Sequence, residues 1–182
     1  MMKIILVNGM PTVGKTTFEN ICKKELYINY NIPCEIYSTI KPIKDIAEKI
    51  GWNGKKTPKD RRFLSDLKDL CTEYSDYSIN WIKSKINTDL EFYHTKKEII
   101  FFVDTREPEE IERLKKEWNA KALLIQRAAV ENNEQSNHAD ANVFQCGYDY
   151  IIENNGSIED LKKIAKRFIM KIENEEWESK VC

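Results

Sequence analysis

Eight residues near the start of the chain match the spacing of a phosphate-binding loop. Residues 9–16 read GMPTVGKT and fit the pattern G-x-x-x-x-G-K-[ST] at every fixed position. Glycines let such a loop approach a polyphosphate closely, so that successive backbone N–H groups can donate to phosphate oxygens. Lys15 can then reach the β- and γ-phosphates, and the Thr16 hydroxyl can ligate Mg²⁺. The motif therefore predicts a site for ATP and Mg²⁺.

The sequence around this motif supports the same interpretation. An apolar run at 4–7 precedes it and helical spacing follows it, as a strand–loop–helix unit requires. An accidental match in a chain of this length is expected on the order of 1% of the time. An incidental lysine in a strand-to-helix turn is the alternative. The residues expected to contact the nucleotide are Gly9, Pro11, Thr12, Val13, Gly14, Lys15, Thr16 and Thr17.

A second acidic position follows the apolar run at 99–103. Phosphoryl-transfer sites use a carboxylate at the end of a neighbouring strand to hold the magnesium shell, and Asp104 occupies that place. Capping of the following helix is the alternative role for Asp104. Arg106 lies two residues further on, where it can bind a substrate phosphate or pair with Glu109 or Glu110.

The chain has six arginines and 23 lysines. Because arginine is used so rarely, each arginine is a candidate for a planar, bidentate contact with a carboxylate or phosphate. Arg127 precedes a polar segment, 128–146, that we interpret as a short lid. Arg127 can stack on the adenine ring or stabilise charge on the transferred phosphoryl group, with a surface ion pair as the alternative. Together with Lys15, Asp104 and Arg106, it completes the set of catalytic candidates.

Two further arginines, Arg61 and Arg62, fall in the first turn of a predicted helix. Cations there oppose the helix dipole, so helix stability does not explain them, whereas binding of a second, anionic substrate does. Solvated side chains beside Asp60 and Asp66 are the alternative. His138 lies in the polar segment, and a lone loop histidine is more often solvated than catalytic.

Apolar patterning predicts five strands alternating with helices. The strand segments are 4–7, 34–37, 99–103, 122–125 and 148–152. The helix segments are 14–30, 42–50, 57–72, 76–90, 108–118 and 157–172. Core strands that are apolar without alternation are typical of a parallel sheet covered on both faces. The predicted fold is therefore α/β, with three layers (α/β/α) around a central, parallel five-stranded sheet.

The connection between the second and third strands is unusually long. About 60 residues separate them, and three helical segments fill this stretch, whereas a single right-handed crossover needs roughly a dozen residues. We interpret residues 38–95 as a helical insertion at the carboxyl edge of the sheet, where ligands bind in such folds. The whole chain, 1–182, is predicted to form one domain.

Composition excludes several classes of protein. The chain has 182 residues, of which 41% are apolar and 32% charged, as in an ordinary globular domain. The 29 basic and 30 acidic residues give a net charge of −1, which argues against a binder of nucleic acid polymers. Five scattered cysteines without a C-x-x-C pair indicate reduced thiols and no zinc site. The apolar runs are too short for a signal peptide or a membrane span, so we expect a soluble, cytoplasmic protein without a membrane partner.

Taken together, these motifs resemble the P-loop nucleoside and deoxynucleoside monophosphate kinases. The phosphate loop, the helical insertion, VDTR at 103–106, Arg127 and YDYIIENNGS at 148–157 occur in this order in phage-type deoxynucleoside monophosphate kinases. The DTR and IENxG segments are also similar to those of animal-type phosphomevalonate kinases. STIKPIK at 38–44 resembles the Ser-Gly-Pro-Leu-Lys element that opens the acceptor-binding region in both, but without the Gly-Pro pair. The chain also carries Thr16 where many members have aspartate.

The resemblance implies the fold of the P-loop NTPases and transfer of the γ-phosphoryl group of ATP to a phosphate monoester, such as a (deoxy)nucleoside monophosphate. It adds Lys44, Arg61 and Arg62 to Arg106 as acceptor-binding candidates, makes the helical insertion the acceptor-binding region, and makes 128–146 a shortened lid. Closure of a lid excludes water and so limits wasteful hydrolysis of ATP. The alternatives are a small-metabolite kinase of the phosphomevalonate or dephospho-coenzyme A type, and a nucleotide-dependent switch.

Overall fold

The computed structural model describes residues 1–131, 143 and 146–181. In this part of the chain, five strands alternate with helices. The strands are β1 (Met2–Asn8), β2 (Cys34–Ser38), β3 (Ile99–Asp104), β4 (Lys121–Gln126) and β5 (Tyr150–Glu153). The helices are α1 (Lys15–Glu25), α2 (Lys41–Lys49), α3 (Pro58–Ser75), α4 (Tyr77–Phe92), α5 (Pro108–Trp118), α6 (Ala128–Glu131) and α7 (Ile158–Glu173).

The strands form one parallel sheet in the order β2-β3-β1-β4-β5. This confirms the predicted α/β architecture with its central, parallel sheet of five strands. The register pairs Val7 of β1 with Asp104 of β3, so both strands end at the same edge of the sheet. Because β1 is the central strand, the loop that follows it begins in the middle of this carboxyl edge.

Helices cover the two faces of the sheet, and the side chains of β1 are buried on both. On one face, Ile5 and Val7 pack in a cluster with residues of α1 and α7, including Phe18. On the other face, Ile4 and Leu6 pack in a cluster with residues of α4 and α5. Because successive strand residues point to opposite faces, burial on both sides explains the unbroken apolar run in this segment.

Side-chain caps fix the start of two helices. At α3, the Thr57 hydroxyl accepts from the Asp60 N–H at 3.2 Å, and the Asp60 carboxylate accepts from the Thr57 N–H at 3.0 Å. Ser157 and Asp160 make the same reciprocal pair at α7. Such capping boxes satisfy backbone donors that the first helical turn leaves unpaired, which explains why both helices begin where the sequence predicted.

Two of the differences between predicted and observed boundaries have a clear structural cause. The first helix does not continue as a regular α-helix to residue 30, because Leu26–Tyr30 forms a π-helical turn that ends at Asn31 in the left-handed conformation. The last strand begins at Tyr150 and not at Tyr148, because its ladder with β4 starts at the pair Leu123–Tyr150. Tyr148 instead directs its hydroxyl towards Asn8 at the carboxyl edge.

The long connection between β2 and β3 contains α2, α3 and α4. Apolar residues of α4, including Ile79, Ile82 and Ile86, are buried against the sheet, so α4 lies where a crossover helix is expected. The helices α2 and α3 are additional, and α2 packs against both of the others. In the described residues, no helix combines the length and apolar character needed to cross a membrane.

Candidate active site

The loop between β1 and α1 has a backbone conformation that depends on its glycines. Gly9 and Gly14 have φ angles of 147° and 98°, and Thr12 also has a positive φ of 67°. Gly14 is the N-cap of α1, and no side-chain cap bonds to the first turn of that helix. The N-terminus of α1 therefore offers N–H donors and the positive end of its dipole to an anion, as a phosphate site requires.

Close approaches of the backbone explain why glycine is required at both ends of the loop. A Cβ atom at Gly9 would lie 2.2 Å from the carbonyl oxygen of Ile125, and one at Gly14 would lie 2.5 Å from Nδ2 of Asn154. Either side chain would push the loop away from the ends of β4 and β5. The loop is thus built into the edge of the sheet and does not project freely from it.

Two buried asparagines, which the sequence pattern did not single out, hold the loop in this position. The side-chain oxygen of Asn8 accepts from the Gly9 N–H at 2.8 Å, and its Nδ2 donates to the Tyr148 hydroxyl at 2.8 Å. Nδ2 of Asn154 donates to the carbonyl oxygen of Val13 at 2.7 Å. Asn154 belongs to the IENNGS segment, so the only sequence signal for it was the family resemblance.

We expect Asn154→Ala to weaken ATP binding about tenfold and to lower the free energy of unfolding by about 1–3 kcal/mol. The variant leaves the Val13 carbonyl without its buried donor and loosens the loop. Calorimetric titration with ATP and urea denaturation measure the two effects. Asn174→Ala, an exposed change at the far end of α7, is the control, and equal ATP affinities of the two variants would contradict the proposed role of Asn154.

The Lys15 side chain lies over the loop that precedes it. Its Nζ donates to the carbonyl oxygens of Gly9 at 2.6 Å and Met10 at 3.1 Å. This arrangement holds an ammonium charge inside the curve of the loop, where a phosphate chain would lie. Thr16 follows in the first turn of α1 and is exposed, so its hydroxyl is accessible to a ligand.

Asp104 lies beside the phosphate loop because β3 is hydrogen-bonded to β1 and ends in register with it. Its Oδ1 is buried and has no hydrogen-bond partner in the described residues. Burial raises the pKa of Asp104, and the positive charges of Lys15, Arg106 and Lys44 oppose that rise. The alternative role as a helix cap is not observed, since the N-cap of α5 is Glu107.

Glu19 is a further member of the site, and the sequence reasoning missed it. It is fully buried, and neither carboxylate oxygen has a hydrogen-bond partner among the described residues. Burial raises the pKa of Glu19 to about 8, the negative charge of Asp104 raises it as well, and the positive charge of Lys15 opposes both. A signal was present, because Glu19 follows Lys15 by one helical turn and sits next to the core residue Phe18.

Two further cations, Lys44 and Arg106, lie close enough to Asp104 for their charges to act on it. Burial lowers the pKa of Lys44, the nearby charges of Lys56 and Arg106 lower it further, and the charge of Asp104 opposes them. The interactions bring Lys44 and Arg106 together with Asp104. Glu110, a suggested partner of Arg106, is instead bound by Nζ of Lys68 at 3.1 Å and by the Thr105 hydroxyl. A second positive region therefore adjoins the phosphate loop.

The remaining candidates are less closely connected to this cluster. Nε of Arg61 donates to the carbonyl oxygen of Lys56 at 3.3 Å, and Arg62 lies 3.6 Å from Asp66 with 84% of its side chain exposed. For Arg62, the ion pair is thus the contact observed. Arg127 directly follows β4 at the carboxyl edge. His138 and most of the segment 128–146 lie outside the described residues.

The residues present fit a magnesium ion with bound nucleotide. Thr16 offers an accessible hydroxyl, and Asp104 offers a buried carboxylate oxygen that lacks a partner in the described part of the chain. The same part of the chain contains no group of three or more His, Cys, Asp or Glu side chains that could hold a metal. That pattern suits Mg²⁺, which binds one or two carboxylates and takes its other ligands from phosphates and water.

Similarity to known proteins is found in the structure and not in the sequence. No protein-family model matches the chain, and no curated protein sequence matches it significantly. The solved structure of shikimate kinase from Aquifex aeolicus has a TM-score of 0.52 and 11% identity, over 93% of this chain and 96% of that one. The chain therefore shares the α/β fold of this structure. Residues 9–16, which match the P-loop pattern in sequence, connect β1 to α1 in this fold.

Other solved structures are also similar to the chain. A sugar kinase from Janibacter sp. has a TM-score of 0.49 and 15% identity, over 93% of this chain and 95% of that one. The APS kinase of Mycobacterium tuberculosis has a TM-score of 0.45 and 11% identity, over 94% of this chain and 97% of that one.

Proposed function

We propose that the chain is an ATP-dependent phosphotransferase that moves the γ-phosphoryl group of ATP to a phosphate monoester, namely a nucleoside or deoxynucleoside monophosphate. One arrangement carries this proposal: β1 and β3 end at the same edge of the sheet, which brings Asp104 beside the P-loop and Lys15, and the charges of Lys44 and Arg106 act on Asp104 there. Binding of ATP by a P-loop requires cations only for the phosphates of that one nucleotide. A second pair of cations beside it supports a second anionic substrate.

Each candidate residue has a task in this reaction. The P-loop N–H groups and Lys15 would bind the β- and γ-phosphates of ATP. Thr16 and Asp104 would hold Mg²⁺, which when bound neutralises charge on the phosphate oxygens. Lys44 and Arg106 would bind the acceptor phosphate and orient its oxygen towards the γ-phosphorus. Since that acceptor oxygen is already ionised, the transfer requires no general base, and none is assigned.

Two regions would complete the acceptor site. The helical insertion at 38–95 contains α2 and α3, and it would bind the remainder of the acceptor; Lys44, Arg61 and Arg62 all lie within it. The segment 128–146, interpreted from sequence as a lid, lies mostly outside the described residues, and Arg127, which directly precedes it, would contact the adenine or the transferred phosphoryl group. The similarity to shikimate kinase supports a kinase of small molecules in general, while the choice of a nucleotide rests on the motifs of the sequence.

A small-metabolite kinase is the second candidate, because the similarity to shikimate kinase supports a kinase of small molecules without specifying a nucleotide.

A cleft lies between α3 and α5. The cleft has a volume of about 770 Å³, and its lining includes Asp66, Asp69, Glu107, Glu109 and Glu110. Its two cations are already paired, Lys68 with Glu110 and Arg113 with Asp76. Excess negative charge in this cleft disfavours an anionic group there, so the acceptor phosphate is assigned to Lys44 and Arg106 and not to the cleft.

Release of ADP, measured with and without acceptors, tests the proposal. A panel of ribonucleoside and deoxynucleoside monophosphates is expected to stimulate ADP release from Mg·ATP. Stimulation by phosphomevalonate or dephospho-coenzyme A, with none by any nucleotide, would support the second candidate instead. Tight ATP binding without stimulation by any acceptor would indicate a nucleotide-dependent switch.

Variants of two acceptor-binding candidates, Lys44 and Arg62, are expected to change the KM for the acceptor more than the KM for ATP. Lys44→Ala should raise the KM for the acceptor about tenfold and the KM for ATP much less, because Lys44 lies beside Asp104 and Arg106. Arg62→Ala should act in the same direction but more weakly, since its side chain is largely exposed. Steady-state kinetics with each substrate varied in turn measures both constants. Arg167→Ala, an exposed change on α7, is the control, and equal shifts of the two KM values would contradict the assignment.

A further inference from the structure

The hydrogen bonds of the described residues do not explain why the Glu19 carboxylate is buried. Glu19 lies in α1 between Phe18 and Cys22, which are core residues of the sheet face that this helix covers. Its side chain is fully buried, and both carboxylate oxygens lack a hydrogen-bond partner in the described residues. A buried carboxylate without partners is costly, and such groups are usually paired or bound to a metal.

The direction of helical side chains places this carboxylate at the P-loop. In an α-helix, side chains lean towards the N-terminus and cover the preceding turn. Glu19 is in the second turn of α1, so its carboxylate lies over the first turn, which contains Lys15. The charges that act on Glu19 are those of Asp104 and Lys15, which agrees with this direction.

Glu19 and Asp104 are carboxylates of different elements, α1 and β3, and they lie close enough for the charge of Asp104 to act on Glu19. Oδ1 of Asp104 and both oxygens of Glu19 are buried and without hydrogen-bond partners among residues 1–131, 143 and 146–181. The ammonium of Lys15 donates to the loop carbonyls of Gly9 and Met10. Three oxygens that could ligate a cation therefore lie near the loop that would hold the phosphates of ATP.

We propose that Glu19 and Asp104 together form a binding site for a divalent cation in the nucleotide-free protein. The oxygen ligands select a hard cation such as Mg²⁺ or Mn²⁺, which takes one or two carboxylates and completes its shell with water. The cation would be in place before ATP binds. The role of the site therefore rests on the proposed function, whereas cation binding can be measured without ATP.

Titration of the full chain with Mn²⁺ alone, without nucleotide, tests the site. Electron paramagnetic resonance of free Mn²⁺ gives the number bound and the affinity. We expect the wild type to bind one ion, and Glu19→Gln and Asp104→Asn each to weaken binding at least about tenfold. Glu25→Gln is the matched control on the same helix, since Glu25 bonds to Asn29 and pairs with Lys166. Circular dichroism of each variant establishes that it is folded.

Three outcomes would overturn the site: no Mn²⁺ binding by the wild type, unchanged affinity of Glu19→Gln, or unchanged affinity of folded Asp104→Asn. The last variant also decides the matter if Glu19→Gln does not fold. A parallel titration of the wild type with Mg·ATP separates the inference from the proposed function. Binding of Mn²⁺ without any binding of ATP would support the cation site and contradict the proposed kinase activity. Binding of ATP without any binding of Mn²⁺ alone would support the kinase proposal and contradict the cation site.

Discussion

Replacing Lys15 with alanine is expected to lower kcat by about two to three orders of magnitude, which is typical of removing one preorganised electrostatic contact from a transition state. The ammonium lies inside the curve of the P-loop, held by the carbonyl oxygens of Gly9 and Met10. Negative charge that develops on the transferred phosphoryl group would lose its nearest fixed cation. The KM for the acceptor should change little, because Lys15 belongs to the ATP side of the site.

Acceptor-stimulated ADP release, measured with saturating Mg·ATP, gives this kcat. Lys24→Ala is the matched control, since Lys24 is exposed on the same helix and should retain full turnover. Circular dichroism should be unchanged in Lys15→Ala, because the lysine contributes no apolar group to either core cluster. Full turnover in a folded Lys15→Ala variant would show that the P-loop does not act in the reaction.

Glu19→Gln is expected to make the protein more stable than the wild type, by an amount that grows with pH. Burial raises the pKa of Glu19 from an ordinary value of 4.5 to about 8. Between these values the folded state retains a proton that the unfolded state has lost, so stability of the wild type falls as the pH rises. The loss is absent below pH 4.5 and grows as the pH rises towards about 8. Glutamine has no proton to lose and avoids this cost.

Urea denaturation at a series of pH values, with a chelator present to remove divalent cations, measures this difference. The free energy of unfolding of Glu19→Gln minus that of the wild type should increase from pH 5 to pH 8. Glu25→Gln should follow the wild type, because Glu25 is paired at the surface of the same helix. A constant difference across this range would mean that Glu19 ionises normally in the folded protein.

Much of the architecture could be predicted because it depends on local patterns. The apolar runs of β1, β3 and β4 are long enough to be recognised, and burial on both faces follows from their lack of alternation. The capping box at Thr57 and the glycines of the loop are equally local signals. The position of Asp104 beside the P-loop followed from a single rule, that parallel strands end at the same edge.

The residues that were missed depend on contacts between distant parts of the chain. Asn154 supports the P-loop across 141 positions of sequence, and Asn8 does so through Tyr148, 140 positions away. Glu19 looks like an ordinary polar residue of a helix until its neighbour Asp104 is known. The role of Arg62 could not be decided from sequence either. An arginine at this position suits an ion pair with Asp66 as well as it suits a contact with an anionic substrate.

The most direct test of the central proposal is to follow the γ-phosphoryl group of ATP itself. Phosphorus NMR of the wild-type chain with Mg·ATP and a panel of nucleoside and deoxynucleoside monophosphates identifies every phosphorylated product. The proposed function predicts ADP together with the diphosphate of at least one acceptor, in equal amounts, and formation of both at least about a hundredfold more slowly with Lys15→Ala. Formation of ADP and inorganic phosphate alone, or no consumption of ATP with any monophosphate, would contradict it.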